Sequence, residues 1–278
     1  MTPNEPLRPL AVVTGASSGI GEEIAAQLAA RGYDLALVAR REDRMLRLAE
    51  RLQATHDVQC TTYAIDLALR TQRDRLCDEL EAERHRLDVL VNNAGLGTHG
   101  FFHETDLETE LELIDVNCGA PVHLTKRILP WMLEKRRGRI LNVGSMSGFA
   151  PGPVMAMYYA SKAFLLSFSE ALWEECRGTG VSVTLLAPGL VRTEFQGRAG
   201  IAPGARSSGT DPLSVDEVAR QGIEGMLNGN RVVIPGFQNR IAALLARFTP
   251  RTRTLRTVRA IQEERRRHTL EQRAENQR

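Results

Sequence analysis

The chain holds only four cysteines in 278 residues, Cys60, Cys77, Cys118 and Cys176, and none forms a CxxC pair. That scatter suits neither a zinc site nor a dithiol redox motif, so four buried thiols in a reducing cytosol are expected. Long apolar runs are missing as well. Nothing approaches the ~18 residues needed to span a bilayer, and the opening MTPNEPLRPL has no apolar core or cleavage pattern. Export and transmembrane insertion are therefore not expected, and the protein is read as cytoplasmic. Neither sign of charge dominates: the net charge is +2 with 25% charged residues. This balance excludes the strongly basic profile of a nucleic-acid binder and that of an acidic disordered chain. His99 and His103 are spaced as metal ligands on a helix would be, but Gly97, Gly100, Phe101 and Phe102 around them argue for a loop, and no metal is expected.

What is present is a 42% hydrophobic content in a chain long enough to bury roughly three quarters of its unfolded surface. Val-, Leu- and Ile-rich runs fall near 9–14, 34–39, 58–64, 87–91, 139–144, 181–187 and 231–234. Segments at helical spacing lie between them, near 19–31, 42–55, 68–84, 106–117, 121–136, 155–177 and 214–228. Alternation of this kind predicts an α/β, Rossmann-like, doubly wound parallel sheet of seven strands. One domain is expected over 7–236. The remaining 237–278 carry eleven Arg against four Glu, net +7, which leaves −5 for the rest. In that basic tail Ile241, Leu244, Leu245 and Phe248 form an apolar helical stripe that Pro250 ends. The stripe predicts docking on the parent domain or a second subunit. A peripheral contact with an anionic membrane is the alternative, and the last dozen residues are expected to fray.

Thr14-Gly15-Ala16-Ser17-Ser18-Gly19-Ile20-Gly21 follows the first strand and opens a helix. Glycines there allow a tight turn and close approach to a pyrophosphate, which faces the free N–H groups of the helix start. The second strand ends in Ala39-Arg40-Arg41, with no carboxylate before Glu42. An acidic residue at that place would bind the ribose hydroxyls of NAD, whereas Arg suits the 2′-phosphate of NADP. The NADP preference rests on Arg40, with Arg41 in support.

Tyr158 and Lys162 stand four apart at the start of a long predicted helix, and so share a face. A nearby ammonium stabilises a phenolate, which predicts a tyrosine pKa brought down toward the working pH for proton transfer. Four Tyr and three Lys in the whole chain give a chance YxxxK roughly 0.04 times, so coincidence is a poor explanation.

With TGASSGIG at 14–21, Asp66 after the third strand, NNAG at 92–95, Asn117 in DVN, Ser145 ahead of YxxxK, and PGLVRT at 188–193, the chain resembles the short-chain dehydrogenase/reductase family, single-domain branch, over about 7–236. The resemblance implies Asn117, Ser145, Tyr158 and Lys162 as the catalytic set. Ser145 is preferred over Ser147 because it directly follows the RILNVG strand, at the sheet's carboxyl edge. The cofactor-binding set it implies is Gly15, Ser17, Ser18, Gly19, Ile20, Gly21, Arg40, Arg41, Asp66, Leu67, Asn93, Ala94, Gly95, Tyr158, Lys162, Pro188, Gly189, Val191 and Thr193. In that scheme Asp66 contacts the adenine, Thr193 and the Pro188-Gly189 turn hold the carboxamide, and Asn117 supports a water-mediated proton path. A homodimer or homotetramer is also expected.

Leu96, Phe101, Phe102, Met146, Phe149, Met155 and Leu190 fall on segments expected to border the substrate. They point to a bulky hydrophobic ketone or secondary alcohol, a 3-oxoacyl thioester or a steroid-like ketone. Residues 194–210, rich in Gly, Ala and Ser, read as a mobile lid. Two other readings compete with an NADPH-dependent oxidoreductase. A non-catalytic NADP-sensing regulator on the same fold is disfavoured by the intact Ser, Tyr and Lys. A sugar-nucleotide epimerase or dehydratase is disfavoured by the absence of a larger substrate domain.

Overall fold

Apart from the two edge strands, the strand segments are apolar at most positions because both of their faces are covered. In the computed structural model, which describes residues 7–202, 212–246 and 248–275, all five residues of β1 (Leu10–Thr14) are buried. Ala11 and Val13 pack to one side of the sheet, Leu10 and Val12 to the other. The chain continues through α1 (Gly19–Ala29), β2 (Asp34–Ala39), α2 (Glu42–His56), β3 (Cys60–Ala64), α3 (Arg70–Glu81), β4 (Leu87–Asn92) and α4 (Leu107–Ile114). A single π-helical turn, Asp115–Gly119, joins α4 to α5 (Ala120–Glu134), and β5 (Gly138–Val143), α6 (Ala156–Glu175) and β6 (Val181–Leu186) follow. The short α7 (Phe195–Arg198), α8 (Val215–Leu227), the two-residue β7 (Val232–Val233), α9 (Phe237–Ala246) and α10 (Arg251–Glu275) complete the order. All seven strands pair in parallel in the order β3-β2-β1-β4-β5-β6-β7.

Two cores lie on opposite faces of this sheet. Ile24 and Leu28 of α1, Met45 and Leu52 of α2, and Ile223 and Met226 of α8 cover one side. Leu76 and Leu80 of α3 with Leu124, Ile128 and Met132 of α5 cover the other. Each fully buried side chain of this size contributes roughly 1.5–3 kcal/mol, so the double layer fixes the strand register. Where solvent reaches an element the sequence supplies caps. Asp106 accepts from the Thr109 N–H at 2.9 Å to start α4, and Ser214 accepts from the Glu217 N–H at 3.2 Å to start α8.

The tail meets the parent domain differently from the first of its expected dockings. Pro250 does separate two helices, but the apolar stripe of α9 does not pack on the parent domain: Phe237, Ile241, Leu244, Leu245 and Phe248 are all exposed. It is α10 that packs on the body, and it stays helical to Glu275 instead of fraying from about 267. Of the segment read as a lid, residues 194–202 hold the short helix α7, and 203–210 lie outside the described residues. Among the described residues, no helix is long and apolar enough to cross a membrane.

Candidate active site

Strand order reverses between β1 and β4, and the crevice beyond their carboxyl ends is where a doubly wound sheet binds ligands. A cleft of about 670 Å³ opens there. Its floor is two loops locked together. Thr14 Oγ1 accepts from the N–H groups of Asn93 and Ala94 at 2.9 and 3.1 Å, and Asn93 Nδ2 donates to the Thr14 carbonyl at 2.9 Å. Glycine is required at this seam. A Cβ on Gly15, whose φ is +66°, would lie 2.7 Å from Asn93 Nδ2, and one on Gly21 would strike Asn93 and sit 2.5 Å from the Gly15 oxygen. Gly15, Ser17, Ser18, Gly19, Ile20, Asn93, Ala94 and Gly95 line the cleft, while Gly21 lies beneath it. Ser18 occupies the N-cap of α1 without a side-chain cap bond, so the first N–H groups of the helix remain for an anion.

At the open end of this turn the structure gathers three arginines. Arg41 donates to Ser18 Oγ at 2.8 Å and to Ser17 Oγ at 3.0 Å, and Arg198 donates to the same Ser18 Oγ at 3.1 Å. Arg41 and Arg44 both pair with Glu194, at 2.8 and 2.6 Å; hydrogen bonds from Arg41 and then Arg44 hold that carboxyl down at about 2. Arg40 turns elsewhere, to Glu112 at 2.8 Å and Asp66 at 4.0 Å. Both Arg40 and Arg41 line the cleft, Arg41 against the glycine turn and Arg40 against the acidic pair beside it. Asp66 and Leu67 line the cleft beside them.

At the other end, Tyr158 and Lys162 emerge from the first turns of α6, 9% and 6% exposed. The Lys162 ammonium stands 5.8 Å from the centre of the Tyr158 ring and donates to the Val143 carbonyl at 2.9 Å. Ser145 lines the same cleft beside Tyr158, and its Oγ accepts from the Ser147 N–H at 3.1 Å. Burial pushes the Tyr158 hydroxyl up to about 12, against a smaller lowering from Ser145 beside it. Burial also pulls Lys162 down to about 8. Desolvation thus outweighs the expected lowering of the phenol by the ammonium, and Tyr158 stays protonated at neutral pH. Asn117 sits in the π-helical turn, 1% exposed. Its amide nitrogen donates to the Leu96 carbonyl and to Ser161 Oγ, both at 2.9 Å, and its oxygen accepts from the Leu96 N–H at 2.8 Å. That side chain pins the loop after NNAG in place and does not itself line the cleft. Pro188, Gly189, Val191 and Thr193 close the cleft from the β6 side, where the Thr193 methyl packs over Gly19 and the Asn239 side chain over Gly189.

Comparison with known proteins decides the family. The model for short chain dehydrogenase matches residues 9–204. The chain belongs to the short-chain dehydrogenase family. An uncharacterized oxidoreductase of Staphylococcus saprophyticus is 35% identical over 227 residues, 81% of this chain and 96% of that protein. A very-long-chain 3-oxoacyl-CoA reductase of Aspergillus clavatus is 36% identical over 200 residues, 68% of this chain, which spans only 57% of that protein's length. Among solved structures, a short-chain dehydrogenase from Sphingobium yanoikuyae in complex with NADPH is 35% identical with a TM-score of 0.78, covering 85% of this chain and 91% of that one. The protein is accordingly an oxidoreductase of this family, on the fold of relatives that hold nicotinamide cofactors.

The substrate end of this dehydrogenase differs in part from the sequence reading. Leu96, Met146, Met155 and Leu190 line the cleft as expected. Phe101, Phe102 and Phe149 do not line it: Phe102 is 63% exposed and Phe101 stacks on His103. Other residues take their place, namely Phe195 and Ile201 from the segment read as a lid, and Val258, Ile261, Gln262 and Arg265 of α10, which sequence reasoning passed over. The signal for the last four was present as a three-to-four-residue spacing. It was obscured because half of them are polar.

Proposed function

We propose that the protein is an NADPH-dependent reductase of bulky hydrophobic ketones, reversible as an alcohol dehydrogenase. The observation that carries this is the buried Tyr158, with the Lys162 ammonium 5.8 Å from its ring centre and Ser145 beside it, in the cleft that begins at the glycine turn. The site fits a dinucleotide: the uncapped start of α1 faces the cleft for the pyrophosphate, and Arg41 and Arg198 converge on Ser18, where a 2′-phosphate would sit. Asp66 and Leu67 flank the place for the adenine, and Thr193 with Pro188 and Gly189 flank that for the nicotinamide.

When bound there, NADPH supplies the hydride for the carbonyl carbon. Ser145 orients the substrate oxygen, and Tyr158 gives it the proton as negative charge develops. Lys162, one helical turn on, offsets the charge left on the Tyr158 oxygen. Asn117 acts as a positioning residue through its bonds to Leu96 and Ser161. Leu96, Met155, Phe195 and Ile201 present an apolar wall that excludes water and prefers a large apolar carbonyl compound.

A screen of hydrophobic ketones and 3-oxoacyl thioesters, followed by loss of NADPH absorbance, tests the reading. Turnover of bulky members in preference to small ones is expected. Tight NADPH binding with no turnover of any of them would establish the non-catalytic sensor instead.

A further inference from the structure

The helix α9 carries its large apolar side chains outward and its small ones inward. Phe237, Ile241, Leu244 and Leu245, with Phe248 just after the helix, recur at three- and four-residue spacing and share one face. All five are exposed, Phe237 by 75% and Phe248 by 79%. On the other side Ala243 is buried, and Asn239 and Ala242 line the cleft. Polar contacts hold the helix in this orientation. Asn239 Nδ2 donates to the Pro235 carbonyl at 2.7 Å and its side chain packs over Gly189, while Arg240 Nε donates to the Ile234 carbonyl at 2.9 Å. A single exposed Leu would need no explanation, but five large apolar side chains in one stripe form the kind of patch that marks a partner surface.

The charge that accompanies the stripe selects the partner. Residues 237–262 contain six arginines, Arg240, Arg247, Arg251, Arg253, Arg256 and Arg259, and not one Asp or Glu. Arg259 is answered by Glu263 at 2.7 Å. Arg251, Arg253 and Arg256, on the first two turns of α10 directly after Pro250, are exposed and enter no ion pair among the described residues. A two-fold contact of this face with a second copy would set arginine against arginine, with no carboxylate in the segment between them. A layer of anionic headgroups over hydrocarbon complements both the arginines and the apolar stripe. We propose that α9 and the start of α10 form a peripheral docking surface for an anionic bilayer: the five apolar side chains enter the boundary between headgroups and acyl chains, and Arg251, Arg253 and Arg256 meet the lipid phosphates. Because Asn239 and Ala242 of the same helix line the cleft, docking sets the cleft wall against the lipid surface. Docking of this kind does not depend on the reductase reading above.

The test is co-sedimentation of the full chain with vesicles of phosphatidylcholine, either alone or with roughly one-third phosphatidylglycerol. The unmodified protein is expected to bind the anionic vesicles at least about tenfold more tightly than the neutral ones, and to lose most of that advantage at about 0.5 M salt. Leu244→Gln combined with Phe248→Gln is expected to weaken binding to the anionic vesicles by about tenfold or more. Arg251→Gln combined with Arg253→Gln and Arg256→Gln is expected to remove most of the preference for anionic over neutral vesicles. All five substituted side chains are exposed, so Tm is expected to stay where it is, which separates loss of docking from loss of fold. Failure of the unmodified protein to pellet with anionic vesicles, or pelleting that neither set of substitutions lowers, overturns the proposal. Sedimentation equilibrium without lipid addresses the other occupant: an oligomer that Leu244→Gln with Phe248→Gln dissociates assigns the stripe to a second copy and overturns the proposal as well.

Discussion

Replacing Arg41 by Ala isolates the NADP preference. Its guanidinium is 30% exposed, donates to both Ser17 and Ser18, and is shared with Glu194. A charge-assisted pair with phosphate in such a partly buried position is worth about 2 kcal/mol, or roughly 30-fold in affinity. The Ser17 and Ser18 bonds also shape the turn, so some loss is common to both cofactors, and the quantity to follow is the ratio of NADPH to NADH dissociation constants. Fluorescence titration of the unmodified protein is expected to favour NADPH at least tenfold, and Arg41→Ala to remove most of that preference. Arg40→Ala, at a side chain already turned to Glu112, is expected to change the ratio less. Glu194→Gln frees Arg41 and Arg44 from a competing carboxylate and is expected to tighten NADPH. Equal affinities for the two cofactors before mutation, or a ratio untouched by Arg41→Ala, would refute this reasoning.

Two further outcomes follow from the geometry. Reduction needs Tyr158 protonated and Lys162 charged. Lys162 loses its proton as pH rises through about 8 while Tyr158 keeps its own to about 12. The rate of ketone reduction is thus expected to be level below pH 8 and to fall above it, about tenfold per unit; a level profile to pH 10 would contradict the role given to Lys162. Gly21→Ala places a methyl group against Asn93 and the Gly15 oxygen. It is expected to cost roughly 2 kcal/mol, to lower Tm by about 4–8 °C, and to abolish NADPH binding. Gly32→Ala, which meets no atom within 4 Å but has φ +81°, is expected to cost only about 1 kcal/mol and to leave binding intact. Differential scanning calorimetry of the two variants separates the cases.

Much of this was legible in the chain itself, for identifiable physical reasons. A strand buried on both faces is apolar at most of its positions, so LAVVT, DLALVA and VSVTLL mark themselves, and the helices between them carry ordinary 3.6-residue patterns. Tyr158, Lys162 and Ser145 meet because helix geometry and the end of β5 place them together. What escaped was contact made only through the fold. Arg198 reaches Ser18 across 180 positions. The inward face of α10 mixes Val258 and Ile261 with Gln262, Arg265 and Thr269, so hydrophobic periodicity gives it little weight. The same criterion favoured α9, whose apolar stripe is exposed, and Phe101 and Phe102, which face away from the cleft. Apolar spacing predicts burial only where a partner surface exists, and the sequence around α9 does not say where that surface is.

The central claim is that Tyr158 hands a proton to a ketone oxygen. Stopped-flow reduction of a bulky ketone by Tyr158→Phe, with NADPH binding measured on the same sample, tests it most directly. Removal of one hydroxyl from a packed ring leaves the fold and NADPH affinity in place, and turnover is expected to fall by at least about a thousandfold. Turnover within a few-fold of the unmodified protein, with NADPH bound equally well, would contradict it.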